Sequence, residues 1–178
     1  MFEIKKLDFG FIILCPNMNP SELICTIRSI KNSHPGCPFI AVVPNSVKSE
    51  ITKEMKKHCE VYKGKDTIPS LMNAGLKNAP SEWSIFVTSG IWIKHNIANK
   101  YSRFIQDDSD ILFPIFENIY DFKNGTINGL CINKKVFKKV GPFAEIGAIN
   151  KIKEEWSLYA YGICGSKFKA ILGTAIQP

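Results

Sequence analysis

Three short, unbroken apolar runs constrain this chain more than any other feature: "FGFIIL" (9–14), "FIAVV" (39–43) and "SIFVT" (84–88). A strand that is apolar without alternation has to be buried on both faces, which calls for a parallel sheet covered by helices. The segments between the runs supply those helices. In "NPSELICTIRSIKNS", Asn19 is a good N-cap, Pro20 suits the first helical position and Glu22 the third. Leu23, Ile24, Ile27 and Ile30 then form a stripe at helical spacing, and Pro35-Gly36 ends the helix.

The alternation continues. A Lys/Glu-rich helix is expected over 48–58, a short strand over 59–62, and a helix over 67–78 with Pro69 in its first turn. Beyond the 84–88 strand come a helix near 95–106 and a strand at 111–116. Asn124-Gly125 is a hairpin signal, followed by a short basic helix over 134–140. A helix near 150–161 and a strand near 168–172 complete the reading. The expected fold is α/β: a single-domain, Rossmann-like open sheet, mixed but mostly parallel, flanked by helices. The length of 178 residues fits one domain, taken as 1–178.

In such sheets ligands bind outside the carboxyl ends of the strands. That rule selects Cys15 to Asn19, Pro44 to Ser46 and Thr88 to Gly90 as the candidate site. It is a site of hydroxyls and amides, with no carboxylate at any of the three strand tips.

Several other chemistries are disfavoured. The six cysteines form no C-x-x-C pair, and several sit in apolar segments where a thiol acts as a small hydrophobe. His34, His58 and His95 have no ligand-like partner at i+2 or i+4, and are expected on the surface. No metal site is therefore expected. The net charge of +7 comes almost entirely from scattered lysines, with arginine only at positions 28 and 103. Phosphate and base recognition favours the arginine fork, so a solvated basic face is expected and no nucleic-acid partner. No apolar run approaches the roughly 20 residues needed to cross a bilayer. Residues 9–15 are too short, and too soon followed by Pro16, for a signal peptide. With reduced thiols, these features lead to the expectation of a cytoplasmic protein without a transmembrane segment.

The order of segments resembles the GT-A glycosyltransferases, most closely those of the family 2 type, from about Phe9 to the C-terminus. "IILCPNMNPSELICTIRSI" is similar to that family's first strand, Pro-containing loop and helix. "FIAVVPNSV" stands where the family has a strand ending in an acidic pair. "TIPSLMNAGLKNAPSEWSIFVTSG" resembles its Asn-x-Gly helix, polar turn and the strand bearing Asp-x-Asp. "INGLCINKKVFKKVGPFAE" and "KEEWSLYAYGICGSKFKAI" are similar to the hairpin, Gly-Gly-Phe-Asp/Glu loop and late helix that opens with an acidic pair.

The resemblance implies a nucleotide-sugar donor, such as a UDP-sugar, and an unknown glycan or other acceptor. It implies donor contacts from Pro16, Asn17, Asn45, Asn73, Thr88 and Ser89, with Glu155 as catalytic base and Glu154 as its partner. Each position also has a plain structural reading. Glu154 and Glu155 can serve the helix dipole, Asn73 can face solvent, and Pro16 and Asn17 can form an ordinary turn. The charged signatures are where the chain departs from the family. Pro44-Asn45 replaces the acidic pair and Thr88-Ser89-Gly90 replaces Asp-x-Asp, which makes a divalent metal doubtful. Asp108-x-Asp110 has the metal-binding spacing but falls between a helix and a strand at the other end of the sheet, where a solvated turn is expected. Trp92 and Trp156 are candidates for an acceptor groove or for the core. The alternative to an enzyme is a catalytically inactive GT-A-like binding or structural module.

Overall fold

The structure is a computed structural model that describes residues 8–17, 19–93, 97–105, 111–115, 127–145, 168–172 and 176–177. Its strands are β1 (Phe9–Leu14), β2 (Phe39–Pro44), β3 (Glu60–Gly64), β4 (Trp83–Thr88), β5 (Trp92–Ile93), β6 (Ile111–Ile115), β7 (Cys131–Asn133), β8 (Phe168–Leu172) and β9 (Ile176–Gln177). Its helices are α1 (Pro20–Ser33), α2 (Ser49–Lys56), α3 (Ile68–Lys77), α4 (Ile97–Ile105) and α5 (Lys134–Val140).

Seven strands form one sheet in the order β3-β2-β1-β4-β7-β6-β8, and β5 pairs with β9 in a separate ribbon. β3, β2, β1 and β4 run parallel. β7 is antiparallel to both β4 and β6, and β6 is parallel to β8. This is the expected mixed, mostly parallel sheet of a GT-A-like α/β fold. The order reverses direction at β1, from which the chain goes first to β2 and later to β4, the kind of switch point outside which ligands bind in open α/β sheets.

The unbroken apolar runs have the burial they require. All six residues of β1 are buried, dividing between two core layers on opposite faces of the sheet. Phe11 and Ile13 face the layer built with Leu23, Ile27 and Ile30 of α1, while Ile12 and Leu14 face Leu71, Met72 and Leu76 of α3. Gly75 sits where α3 crosses β1. A Cβ there would stand 2.4 Å from Ile12 Cγ2, so hydrogen is the only side chain that lets helix and strand approach this closely.

The N-cap read at Asn19 acts as one, and Thr67, expected inside its helix, caps α3 instead. Asn19 Oδ1 accepts from the Ser21 amide at 3.0 Å, and the Thr67 hydroxyl oxygen accepts from the Ser70 amide at 3.4 Å. One histidine corrects the expectation. His34 is buried rather than on the surface, packed edge-on against Phe11 with ring centroids 5.0 Å apart. Its Nε2 accepts from the Ala98 amide at 3.2 Å and its Nδ1 lies 2.8 Å from the Ser33 hydroxyl. A helix C-cap that also caps the start of α4 has no place in water. His58 is exposed, as expected, and His95 lies outside the described residues.

The described cysteines, Cys15, Cys25, Cys37, Cys59 and Cys131, are free thiols. No helix among the described residues is long and apolar enough to cross a membrane. The expected Asn124-Gly125 turn, the helix near 150–161, Trp156 and the Asp107-Asp108-x-Asp110 segment lie outside the described residues.

Candidate functional site

Parallel register brings three strand ends level. Leu14 pairs with Val42 on one side and Thr88 on the other. The next amides extend the ladder: Cys15 N donates to Val42 O at 2.9 Å and Ser89 N to Leu14 O at 2.8 Å. Asn45 N, just past β2, donates to Gly64 O at 2.7 Å. Pro16, Asn17, Asn45, Thr88 and Ser89 therefore share one edge of the sheet, the carboxyl edge. Asn17 and Asn45 are exposed there, and Pro16, Thr88 and Ser89 are half-buried.

The tip of β4 is tied down from two directions. The Thr88 amide and hydroxyl both donate to Asn128 Oδ1, at 2.7 and 3.1 Å. Gly90, at φ +90°, donates its amide to the Thr26 hydroxyl at 3.0 Å and to Glu22 O at 3.3 Å. The left-handed backbone at Gly90 turns the chain from β4 into β5 and suits glycine. Behind Ser89, the Cys15 thiol is pushed up to about 12 by burial, while a hydrogen bond with Ser89 pulls it the other way. It stays a neutral thiol at physiological pH, with no nucleophilic or metal-ligating character.

Asn73 is on α3. Its Nδ2 donates to Phe143 O at 2.9 Å and its Oδ1 accepts from the Phe143 amide at 2.8 Å, fastening the 141–145 loop to α3. Glu145 of that loop accepts from Lys65 Nζ at 2.6 Å. The Lys65 hydrogen bond holds its carboxyl below the usual range, with smaller contributions from Ser70 and Asn73. An open cleft of about 430 Å³ lies between these elements, lined by Lys65, Thr67, Ala144 and Glu145. On the neighbouring turn Lys63 Nζ donates to Asn45 O and Val47 O at 3.5 and 3.2 Å. Glu154 and Glu155 fall outside the described residues.

Charge along the edge is mixed. Lys63 and Lys65 at the β3 end stand with Asp66, which accepts from the Ser46 amide at 3.4 Å, and with Glu145, which pairs with Lys65. Glu22 lies beside the β4 tip. Sequence reasoning assigned Glu22 to the start of α1 and saw nothing further. In the fold its carboxylate lies 3.6 Å from where a Cβ on Gly90 would stand. Thr26 and Ser29 were also missed, although two hydroxyls beside the stripe of Leu23, Ile27 and Ile30 are a legible sign of buried polar work. The residues at the β4 tip do not fit a divalent cation. Mg²⁺ and Mn²⁺ need several anionic or carbonyl oxygens, whereas the tip offers two hydroxyls and one nearby carboxylate. No group of three or more His, Cys, Asp or Glu side chains suited to a metal occurs among the described residues.

No family model and no curated protein matches this sequence. Solved structures do. The crystal structure of S. aureus TarS superposes with a TM-score of 0.66 at 16% identity, over 96% of this chain and 36% of that one. The TarS 1–349 structure gives 0.64 at 15% identity, over 94% and 59%. Glucosyl-3-phosphoglycerate synthase from Mycobacterium tuberculosis, in complex with Mg²⁺ and uridine-diphosphate, gives 0.70 at 9% identity, over 99% and 75%. At these identities the likeness is one of fold. The chain spans 36% and 59% of the two TarS chains it matches.

Proposed function

We propose that this chain is a glycosyltransferase-like domain that binds a nucleotide sugar, with a UDP-sugar as the first candidate, across the carboxyl edge of β1, β2 and β4. The reading assigns donor contacts to Pro16, Asn17, Asn45, Thr88 and Ser89, and to Asn73 at the neighbouring helix. The observation that supports it is the meeting of the first five at one sheet edge, where the strand order reverses in a fold shared with TarS and a UDP-bound synthase. Of the cations near that edge, Lys65 is paired with Glu145 and would exchange that carboxylate for the diphosphate.

In the transfer, an acceptor hydroxyl attacks the anomeric carbon and the new C–O bond forms as the bond to the diphosphate breaks. The nucleoside diphosphate leaves with the electron pair, and the hydroxyl proton passes to Glu155. Glu154 orients that base or contacts the acceptor. No step passes through a metal, since the β4 tip does not fit one. A second reading has its own support: Pro44-Asn45 and Thr88-Ser89-Gly90 carry no carboxylate, as in a module that keeps donor binding without turnover.

A thermal-shift panel of UDP, UDP-glucose and UDP-N-acetylglucosamine, each with and without Mn²⁺, tests the binding. Ligand at a hundred times Kd stabilises by about 2.7 kcal/mol, so a real site gives a dose-dependent rise in Tm. No shift with any nucleotide refutes the donor site. For transfer, Glu155→Gln is expected to cut turnover by about 10²–10⁴ while leaving donor binding intact. Donor binding without any turnover by the wild type selects the inactive module.

A further inference from the structure

We infer that Asn128 is a positioning residue of the donor site: it takes both protons that Thr88 can give, and so presents the Thr88 hydroxyl to a ligand as a hydrogen-bond acceptor only. The inference rests on the reading that this edge binds a nucleotide sugar. It adds the polarity of one contact: Thr88 meets a ligand O–H or N–H and not a phosphate oxygen.

β7 runs antiparallel to β4 through the pairs Trp83 with Asn133, Ser84 with Ile132 and Ile85 with Cys131. Beyond them Phe86 N donates to Leu130 O at 2.9 Å, and Gly129 N donates to Phe86 O at 2.7 Å. There the chain turns away. Leu130 N closes a tight turn on Ile127 O at 3.0 Å, with Gly129 at φ +83°. Thr88, the last residue of β4, meets a side chain at this point of the ladder instead of backbone. Asn128 Oδ1 stands in for the missing carbonyl and accepts from the Thr88 amide at 2.7 Å. Tyr101, buried on α4, fixes the same turn by donating its hydroxyl to Gly129 O.

The backbone fixes where the protons lie. An amide N–H can only donate, so the Asn128 atom facing it is the carbonyl oxygen. That oxygen carries no proton, so the Thr88 hydroxyl, 3.1 Å away, is the donor in the second bond. What the hydroxyl keeps is its lone pairs, and Thr88 is only half-buried, within reach of a ligand. The neighbouring amides are spent as well. Ser89 N donates to Leu14 O at 2.8 Å, Gly90 N to the Thr26 hydroxyl at 3.0 Å and Ile91 N to Thr88 O at 3.3 Å. Phosphate is held by donors, as at a helix N-terminus or a nest of amides. The four amides from Thr88 to Ile91 all donate within the fold instead. Without Asn128 the Thr88 hydroxyl would turn freely, as ready to donate as to accept.

Calorimetric titration of the full chain with UDP and UDP-glucose tests this, in the wild type, Asn128→Ala, Thr88→Val, Thr88→Ser and the Asn128→Ala, Thr88→Val double variant. Thr88→Val keeps the volume and the amide bond to Asn128 and removes only the hydroxyl. Asn128→Ala and Thr88→Val are each expected to weaken UDP-glucose binding about tenfold, with Thr88→Ser retaining most of the affinity. The two losses are expected not to add, because Asn128 acts through the hydroxyl that Thr88→Val deletes. Equal losses from Asn128→Ala with and without that hydroxyl would mean a loosened turn, and overturn the inference. Unchanged affinity in Thr88→Val overturns it too, which keeps the inference refutable if Asn128→Ala does not fold. So does binding of inorganic pyrophosphate that Thr88→Val abolishes, since the tip would then be holding phosphate. A wild type that binds neither UDP nor UDP-glucose sinks the donor site and this inference with it. Donor binding that both single variants leave unchanged sinks this inference alone.

Discussion

The buried His34 makes stability depend on pH in a window that ordinary carboxylates leave quiet. Because the Ala98 amide donates to Nε2, that nitrogen carries no proton, and Nδ1–H donates to the Ser33 hydroxyl, which in turn donates to Ser29 O at 2.7 Å. A second proton could only go to Nε2, facing an N–H, in a site closed to water. Burial lowers the pKa from 6.5 to about 4. The unfolded chain therefore takes up a proton before the folded one does. The contribution is intact above pH 6.5, is lost progressively as pH falls from 6.5 towards 4, and changes no further below that. Each tenfold change in proton affinity is worth about 1.4 kcal/mol, so the loss across the window is about 3 kcal/mol. Urea unfolding at pH 7.5, 6.0 and 4.8 measures it, with His34→Gln as the comparison: glutamine can accept from the Ala98 amide but does not titrate. The wild type is expected to lose stability steeply and the variant only by the shared carboxylate contribution. Parallel curves for the two proteins, or an NMR titration giving His34 a pKa near 6.5, would refute the reasoning.

Three further outcomes follow from packing and backbone. Gly75→Ala places a Cβ 2.4 Å from Ile12 Cγ2, and the forced separation of α3 from β1 is expected to cost about 1–3 kcal/mol in chemical denaturation. Asn73→Ala removes both hydrogen bonds to Phe143; faster amide exchange at Phe143 and a loss of about 1–3 kcal/mol are expected, and unchanged protection there would show that the loop is held by other contacts. Thr26→Val keeps the shape but deprives Gly90 N and Ile91 O of their shared partner. A loss of about 1–3 kcal/mol is expected, together with a red shift in Trp92 emission read in a background carrying both Trp83→Phe and Trp156→Phe.

The apolar runs settled the central parallel strands, whereas the strand order and the β5–β9 ribbon came only with the fold. An apolar run with no alternation has only one stable setting, buried on both faces, and each of "FGFIIL", "FIAVV" and "SIFVT" adopts it. Local chemistry likewise announced the start of α1, because the hydrogen bond that Asn19 accepts closes within two residues of the cap. Where the strands end is a local property too, so Pro16, Asn45 and Ser89 could be placed at one edge from spacing alone. What tertiary structure decided is every partner far along the chain. His34 was assigned to the surface because nothing nearby in sequence reveals that Ala98, 64 residues on, waits for its ring nitrogen. Asn73 could not be known to bind a backbone 70 residues away. Glu22 reads in sequence as the third residue of a helix, and it acquires a place at the site only when α1 packs beneath the turn at Gly90. Burial and hydrogen-bond satisfaction are set by what the rest of the chain brings to a residue, whereas strand and helix patterns are set by what each segment carries with it.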